Sequence, residues 1–237
     1  MHVWHIRLDP GERCLRRAWL LLDPQERERA SRLRGPALAR RFVAAHAATR
    51  RILASALGCH PGELLFTRTL EGKPELVSPA PMHFNLSHAR HDALLAISPL
   101  SPVGIDLEDW PDAAHPAPDP HDLSPVLSEA ERSRLMQQAP AQRPLECMRL
   151  WVRKEALLKA RGCGLDESAR DTCLPVPVPR RINLVRPPPS PDRSQGGPAA
   201  ASCWSILGLE RTGRWLAAVA CAGPMPAPRL HAWSWTA

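Results

Sequence analysis

Residues 151–165 read WVRKEALLKARGCGL, the closing turns of a helix that a glycine stops. On that helix Leu145, Met148, Val152, Glu155 and Lys159 fall on one stripe, three and four residues apart. Trp151 and Leu158 flank the stripe, one turn either side of Glu155. A carboxylate on an apolar stripe demands a partner, because an unpaired buried charge is too costly. The helix runs from about Pro144 to Arg161, and the fold has to bring something to Glu155.

The best candidate is VGIDLED at 103–109, which alternates as a strand. Val103, Ile105 and Leu107 point to one face and leave Asp106 and Glu108 together on the other; same-face residues lie roughly 7 Å apart, so their oxygens can converge on one cation. Alone, such an acid pair is a common solvated strand face. Glu155 changes that reading. Three carboxylates make an all-oxygen set suited to Mg²⁺, which keeps several waters and bridges to substrate phosphates. Lys159, one turn beyond Glu155, is placed to neutralise a phosphate oxygen. An ordinary i,i+4 Glu–Lys pair on an exposed helix would not explain its position on the apolar stripe.

Outward from these two segments, HVWHIRL (2–8) alternates as a strand, and a helix follows from Pro24 to Leu33. A longer helix runs from Pro36, suited to a first helical position, to Leu57, with Gly58 just past its end. Arg41 sits at the edge of its inward stripe. EGKPEL is a turn containing Lys73. MHFNLSH (82–88), DALLAIS (92–98) and VGIDLED read as three strands, joined by connectors short enough for an antiparallel arrangement. In the first of them Asn85 and Ser87 point one way and Phe84, Leu86 and His88 the other. Ser128-x-x-Glu131 is a capping box. CWSILGLE and RWLAAVACA pair around a Thr-Gly turn, and LHAWSW alternates near the end. Helices and strands are interspersed without a βαβ period, so the fold class is α+β. Pro-rich insertions at 111–125 and 186–201 are loops.

The chain has 237 residues, enough for one large domain or two modest ones, with 44% hydrophobic and 23% charged residues as in ordinary globular proteins. Its longest apolar run, Trp215 to Gly223, ends at Pro224, short of the roughly 20 residues a bilayer requires. No secretory signal core is visible at the N-terminus, so a cytoplasmic protein is expected. Seven cysteines, none in close C-x-x-C spacing, read as reduced thiols. The net charge is +7, and Arg27 to Arg51 holds eight arginines and one acid, Glu28. That stretch suits a polyanion: nucleic acid, a phosphorylated cofactor or an acidic protein. The absence of tyrosine, with only three phenylalanines, argues against a base-stacking surface. From the residues alone a Mg²⁺-dependent enzyme acting on phosphates, such as a nuclease or phosphohydrolase, and a non-catalytic basic nucleic-acid-binding protein both stand open.

GKP (72–74), FNLSH (84–88), VGIDLE (103–108) and W-x-x-KEALLK (151–159), in that order, resemble the two-domain, Sfp-type 4′-phosphopantetheinyl transferases. The resemblance runs from about Pro24 to Gly164 and continues in the closing strands. It implies a pseudo-twofold monomer of two similar α+β halves, here 1–100 and 101–237, with coenzyme A bound in the cleft between them. It implies transfer of the 4′-phosphopantetheine arm of coenzyme A to a serine of an apo acyl or peptidyl carrier protein, releasing 3′,5′-ADP. By motif, Asp106, Glu108 and Glu155 would hold Mg²⁺, and Glu155 would take the serine proton, directly or through water. Lys159 and His88 would contact the diphosphate; Arg41, Lys73, Ser87 and Arg29 would hold the adenosine end and its 3′-phosphate. Fatty-acid, polyketide and nonribosomal-peptide carriers are all open as partners, and neither nucleic acid nor membrane is expected as one. Glu26 stands near where a basic residue sometimes helps bind the 3′-phosphate, and His46 replaces an arginine seen in some relatives.

Overall fold

The computed structural model describes residues 1–77, 82–112, 116–117, 123, 126–163, 168–185 and 203–235. In chain order its elements are β1 (His2–Arg7), α1 (Glu12–Leu21), α2 (Pro24–Arg32), α3 (Pro36–Leu57), β2 (Phe66–Arg68), β3 (Pro74–Leu76), β4 (His83–His88) and β5 (Asp92–Ser98). They continue as β6 (Val103–Asp109), α4 (Glu129–Gln137), α5 (Arg143–Arg161), α6 (Ser168–Asp171), β7 (Arg181–Val185), β8 (Cys203–Arg211), β9 (Trp215–Ala222) and β10 (Arg229–Trp233). The class is α+β, as expected. The insertions at 111–125 and 186–201 lie largely or wholly outside the described residues.

Two compact units divide the chain: Met1–Leu100 with Pro228–Ala237, and Ser101–Ala227. The sequence reading divides the chain into 1–100 and 101–237; in the structure Pro228–Ala237 groups with the first unit. β10 returns to the first unit because it pairs in parallel with β1, from His2↔Arg229 to Ile6↔Trp233.

In the first unit the sheet order is β10-β1-β5-β4. Ile6, Phe84, Ala93, Leu95 and Ile97 share a core with Ala45, Ala48, Ile52 and Leu53 of α3. α3 starts with proline in its first turn and stops at Gly58, whose φ of 68° a side chain would strain. α2 opens on a capping box formed by Asp23 and Glu26. α1 was not legible in the sequence: its N-cap, Gly11, offers no side-chain acceptor, and its charged residues mask the stripe that packs on α3.

In the second unit the order is β6-β9-β8-β7. The antiparallel continuation from β5 to β6 does not occur, because β1 and β4 already occupy both edges of β5. β6 pairs with β9 instead, from Val103↔Cys221 to Asp109↔Trp215. β8 and β9 form the expected hairpin. Both units follow one plan: a first strand, helices of which the longest lies on the sheet, then an antiparallel hairpin whose second strand pairs with the first strand. All seven cysteines are free thiols. Among the described residues no helix is long and apolar enough to cross a membrane.

Candidate functional site

The register of β6 against α5 places the acidic residues. Gly104 faces the helix so closely that a Cβ there would lie 2.1 Å from the carbonyl oxygen of Ala156 and 2.3 Å from the amide nitrogen of Ala160. Strand alternation then turns Asp106 and Glu108 toward the same helix and Val103, Ile105 and Leu107 away from it, all three buried. The helix answers with Trp151, Glu155 and Lys159, each four residues apart. Lys159 Nζ donates to Asp106 Oδ1 at 2.6 Å and lies 3.7 Å from Glu155 Oε2. The Trp151 indole Nε1–H donates to Glu108 Oε1 at 3.1 Å. Asp106, Glu108, Glu155 and Lys159 are thus brought together on one face of the second unit. Glu155 is buried, and what it faces is Lys159 with two other carboxylates.

The charges are strongly coupled. Burial pushes the Glu155 carboxyl up, and the Asp106 and Glu108 charges push it the same way, against the pull of Lys159. Burial and the charge of Asp106 likewise raise Glu108, although the Trp151 hydrogen bond and Lys159 oppose them. Burial would lower Lys159, but Asp106 and then the two glutamates outweigh it and raise the ammonium. Three acids around one lysine leave a site short of positive charge. Among the described residues no three His, Cys, Asp or Glu side chains are gathered closely enough to hold a metal; the lysine stands between Asp106 and Glu155. In donor type and charge the three carboxylates nonetheless suit a hard divalent cation, and such an ion would have to displace Lys159 from Asp106.

The remaining candidates belong to the first unit. Ser87 is buried beside Asn85 on one face of β4, and His88 is exposed at the strand end on the face that carries Phe84. Lys73 precedes β3, and burial lowers its ammonium against the favourable charge of Glu75; burial, and then the Lys73 charge, lower His83. Arg41 is half-buried on α3. Arg29 is exposed, its guanidinium 5.6 Å from the Phe42 ring centre. A cleft of about 610 Å³ opens in this unit, lined by Arg29 and Arg32 from α2, His46 and Thr49 from α3, Phe66 from β2 and Leu86 from β4. Of the proposed ligands only Arg29 is among its lining residues.

Glu26 also lines the cleft, but as part of the framework. Its carboxylate accepts from Arg50 Nε at 2.7 Å and pairs with His46 at 3.1 Å. Burial would raise its pKa, yet the His46 hydrogen bond and the Arg50 and His46 charges bring it below the usual range. Arg50 is buried, pairs also with Asp23 at 2.5 Å and donates to the Pro61 and Leu64 carbonyls. Several other arginines of the 27–51 stretch have internal partners too: Arg27 donates to the Trp19 and Leu20 carbonyls, Arg32 pairs with Glu28 and Arg40 with Glu12. The stretch is not one continuous basic face.

Two features escaped the sequence reading. Trp151 as the donor to Glu108 had a signal, since it shares the four-residue spacing of Glu155 and Lys159. Lys154 had none. Next to Glu155 it is 2% exposed, and it pairs at 2.7 Å with Glu131, which is 0% exposed. Lys154 Nζ also donates to the Val126 and Ala169 carbonyls at 2.9 and 2.8 Å. Glu131, the capping-box residue of α4, accepts from the Ser128 and Leu174 amides as well. Arg153, buried over Gly208, is pushed down to about 10 by burial despite Glu210 nearby.

Residues 102–220 match the model of the 4′-phosphopantetheinyl transferase superfamily. The chain is 32% identical over 227 residues to the 4′-phosphopantetheinyl transferase HetI of a Nostoc species, covering 94% of this chain and 88% of the relative. It is 30% identical over 134 residues to the 4′-phosphopantetheinyl transferase AcpT of Salmonella typhimurium, covering 45% and 65% of the two chains. With a 4′-phosphopantetheinyl transferase of Bacillus subtilis it shares 29% over 145 residues, or 61% and 62%. The chain belongs to the 4′-phosphopantetheinyl transferase superfamily.

Proposed function

We propose, from that membership, how this transferase carries the 4′-phosphopantetheine arm of coenzyme A to a serine of an apo carrier protein. The supporting observation is the cluster of Asp106, Glu108, Glu155 and Lys159 at the contact of β6 with α5. Asp106, Glu108 and Glu155 would hold Mg²⁺, which when bound would offset the negative charge of the coenzyme A diphosphate. Lys159, now on Asp106, would be the cation that contacts a diphosphate oxygen. His88, exposed and able to donate, is its proposed partner on that diphosphate. Glu155 takes the serine proton, directly or through a water. Burial holds its pKa above the ordinary carboxylate value, which makes it a better base than an exposed glutamate.

The bond that forms joins the serine oxygen to the phosphorus bearing the pantetheine arm. The bond that breaks releases 3′,5′-ADP. Positioning and charge stabilisation carry such a transfer, with no covalent enzyme intermediate. For the adenosine end and its 3′-phosphate we propose Arg29, Arg41, Lys73 and Ser87. Arg29 offers a guanidinium on the wall of the 610 Å³ cleft, whose lining also includes Phe66. Lys73 is half-buried, and burial lowers its ammonium against the favourable charge of Glu75, so a bound anion would favour its charged form.

The test is direct. Protein, Mg²⁺, coenzyme A and an apo carrier domain should give a carrier mass increase of one phosphopantetheine group. Asp106→Ala should abolish the gain and keep the fold by circular dichroism; normal activity in this variant removes the metal assignment. Parallel reactions with fatty-acid, polyketide and peptide carrier domains would define the partner class.

A further inference from the structure

We propose that Trp151 is a positioning residue for Glu108, and that its indole N–H fixes how this carboxylate meets a divalent cation. The inference rests on the transferase reading above and adds a residue to it. Glu108 lies near the end of β6, half-buried, beside two other carboxylates that repel it. Left alone, such a side chain would rotate toward solvent. The indole N–H at 3.1 Å holds one of its oxygens on the α5 side.

The two donors at this site differ in kind. Lys159 brings a positive charge to Asp106, so it competes with any cation. The indole is a neutral donor: it orients Glu108 without spending the negative charge a cation needs. Both donors stand on α5, two turns apart.

The indole is itself held from behind. Its ring packs on Val126, Leu158 and Ala169. The carbonyls of Val126 and Ala169 are the same two groups that accept from Lys154 Nζ, whose ammonium is locked to buried Glu131. The buried ion pair therefore sets the wall against which Trp151 rests, and Trp151 sets Glu108. This gives a role to the lysine beside Glu155, which points away from the carboxylate cluster and into the core.

Trp151→Phe keeps the ring packing and deletes the N–H. Binding of Mn²⁺ in the presence of coenzyme A, followed by titration calorimetry, should weaken about tenfold or more, the range for losing a hydrogen bond to a charged group. The transfer rate should recover at high Mn²⁺, with the half-saturating concentration raised. Trp151→Phe binding Mn²⁺ like the wild type, or losing activity that no Mn²⁺ concentration restores, overturns the proposal. In the wild type, the Trp151 indole N–H resonance should shift on Mg²⁺ titration, and its starting position should change in Glu108→Ala. That measurement stands even where Trp151→Phe does not fold, and an indole resonance unmoved by both overturns the proposal. Wild-type protein that loads no carrier, or binds no divalent cation, would instead overturn the reading beneath it.

Discussion

Gly104→Ala is the sharpest test of the site's architecture. The glycine is needed for room, since the added methyl would sit 2.1 Å from Ala156 O and 2.3 Å from Ala160 N. Carbon and its neighbours prefer roughly 3.5–4 Å, so α5 must retreat from β6 by about 1 Å or more. Both obstructing atoms are helix backbone, which cannot rotate aside as a side chain would. Overpacking of this kind costs about 1–3 kcal/mol, which at about 2–8 °C per kcal/mol predicts a clear fall in the unfolding midpoint. The larger effect falls on chemistry. Ala156 directly follows Glu155 and Ala160 directly follows Lys159, so the retreat carries both of these side chains away from Asp106, whose oxygen is 2.6 Å from Lys159 Nζ. A displacement of about 1 Å costs on the order of 100-fold in rate. Thermal unfolding by circular dichroism and carrier loading by mass spectrometry measure the two effects separately. A variant with wild-type melting and wild-type loading would refute the idea that this close approach sets the site.

Two further predictions concern the framework. Lys154→Met leaves Glu131 buried without its ammonium and should cost about 3–5 kcal/mol, read from urea unfolding midpoints; a loss under about 1 kcal/mol would show that the pair is not needed. Glu26 has its folded-state pKa below the ordinary carboxylate value, so its stabilisation is present above about pH 4.5 and is lost as pH falls through the folded value. The stability gap between wild type and Glu26→Gln should therefore be widest near neutral pH and narrow as the pH falls below about 4.5; a gap that does not change with pH would refute the assignment.

Much of this was readable because it is local. Pro36 and Gly58 mark the ends of α3, and Ser128 with Glu131 marks the start of α4, because caps and stops act within one helical turn. Alternation in VGIDLED separates the acids from the apolar face without knowledge of the partner strand. Spacing of four puts Glu155 and Lys159 on one line. What was not readable depends on distant pairings. β6 could not be excluded from the β4–β5 sheet until β1 was seen on the far edge of β5, and β10 could not be assigned to the first unit until it paired with β1. Lys154 looks like a solvent-facing helix residue, and its partner lies in another helix.

By itself, then, the amino-acid order determined the two longest helices, the strands β1, β4, β5, β6, β8 and β9, the acidic face of β6, the Glu155–Lys159 line and the family resemblance, since each is written in residues a few positions apart. Tertiary structure alone decided that Lys159 bridges to Asp106, that Trp151 donates to Glu108, and that Lys154 and Glu26 serve the framework. Those outcomes turn on a few ångströms between segments distant in the chain, where packing and the cost of burying charge select one partner among several chemically equivalent ones.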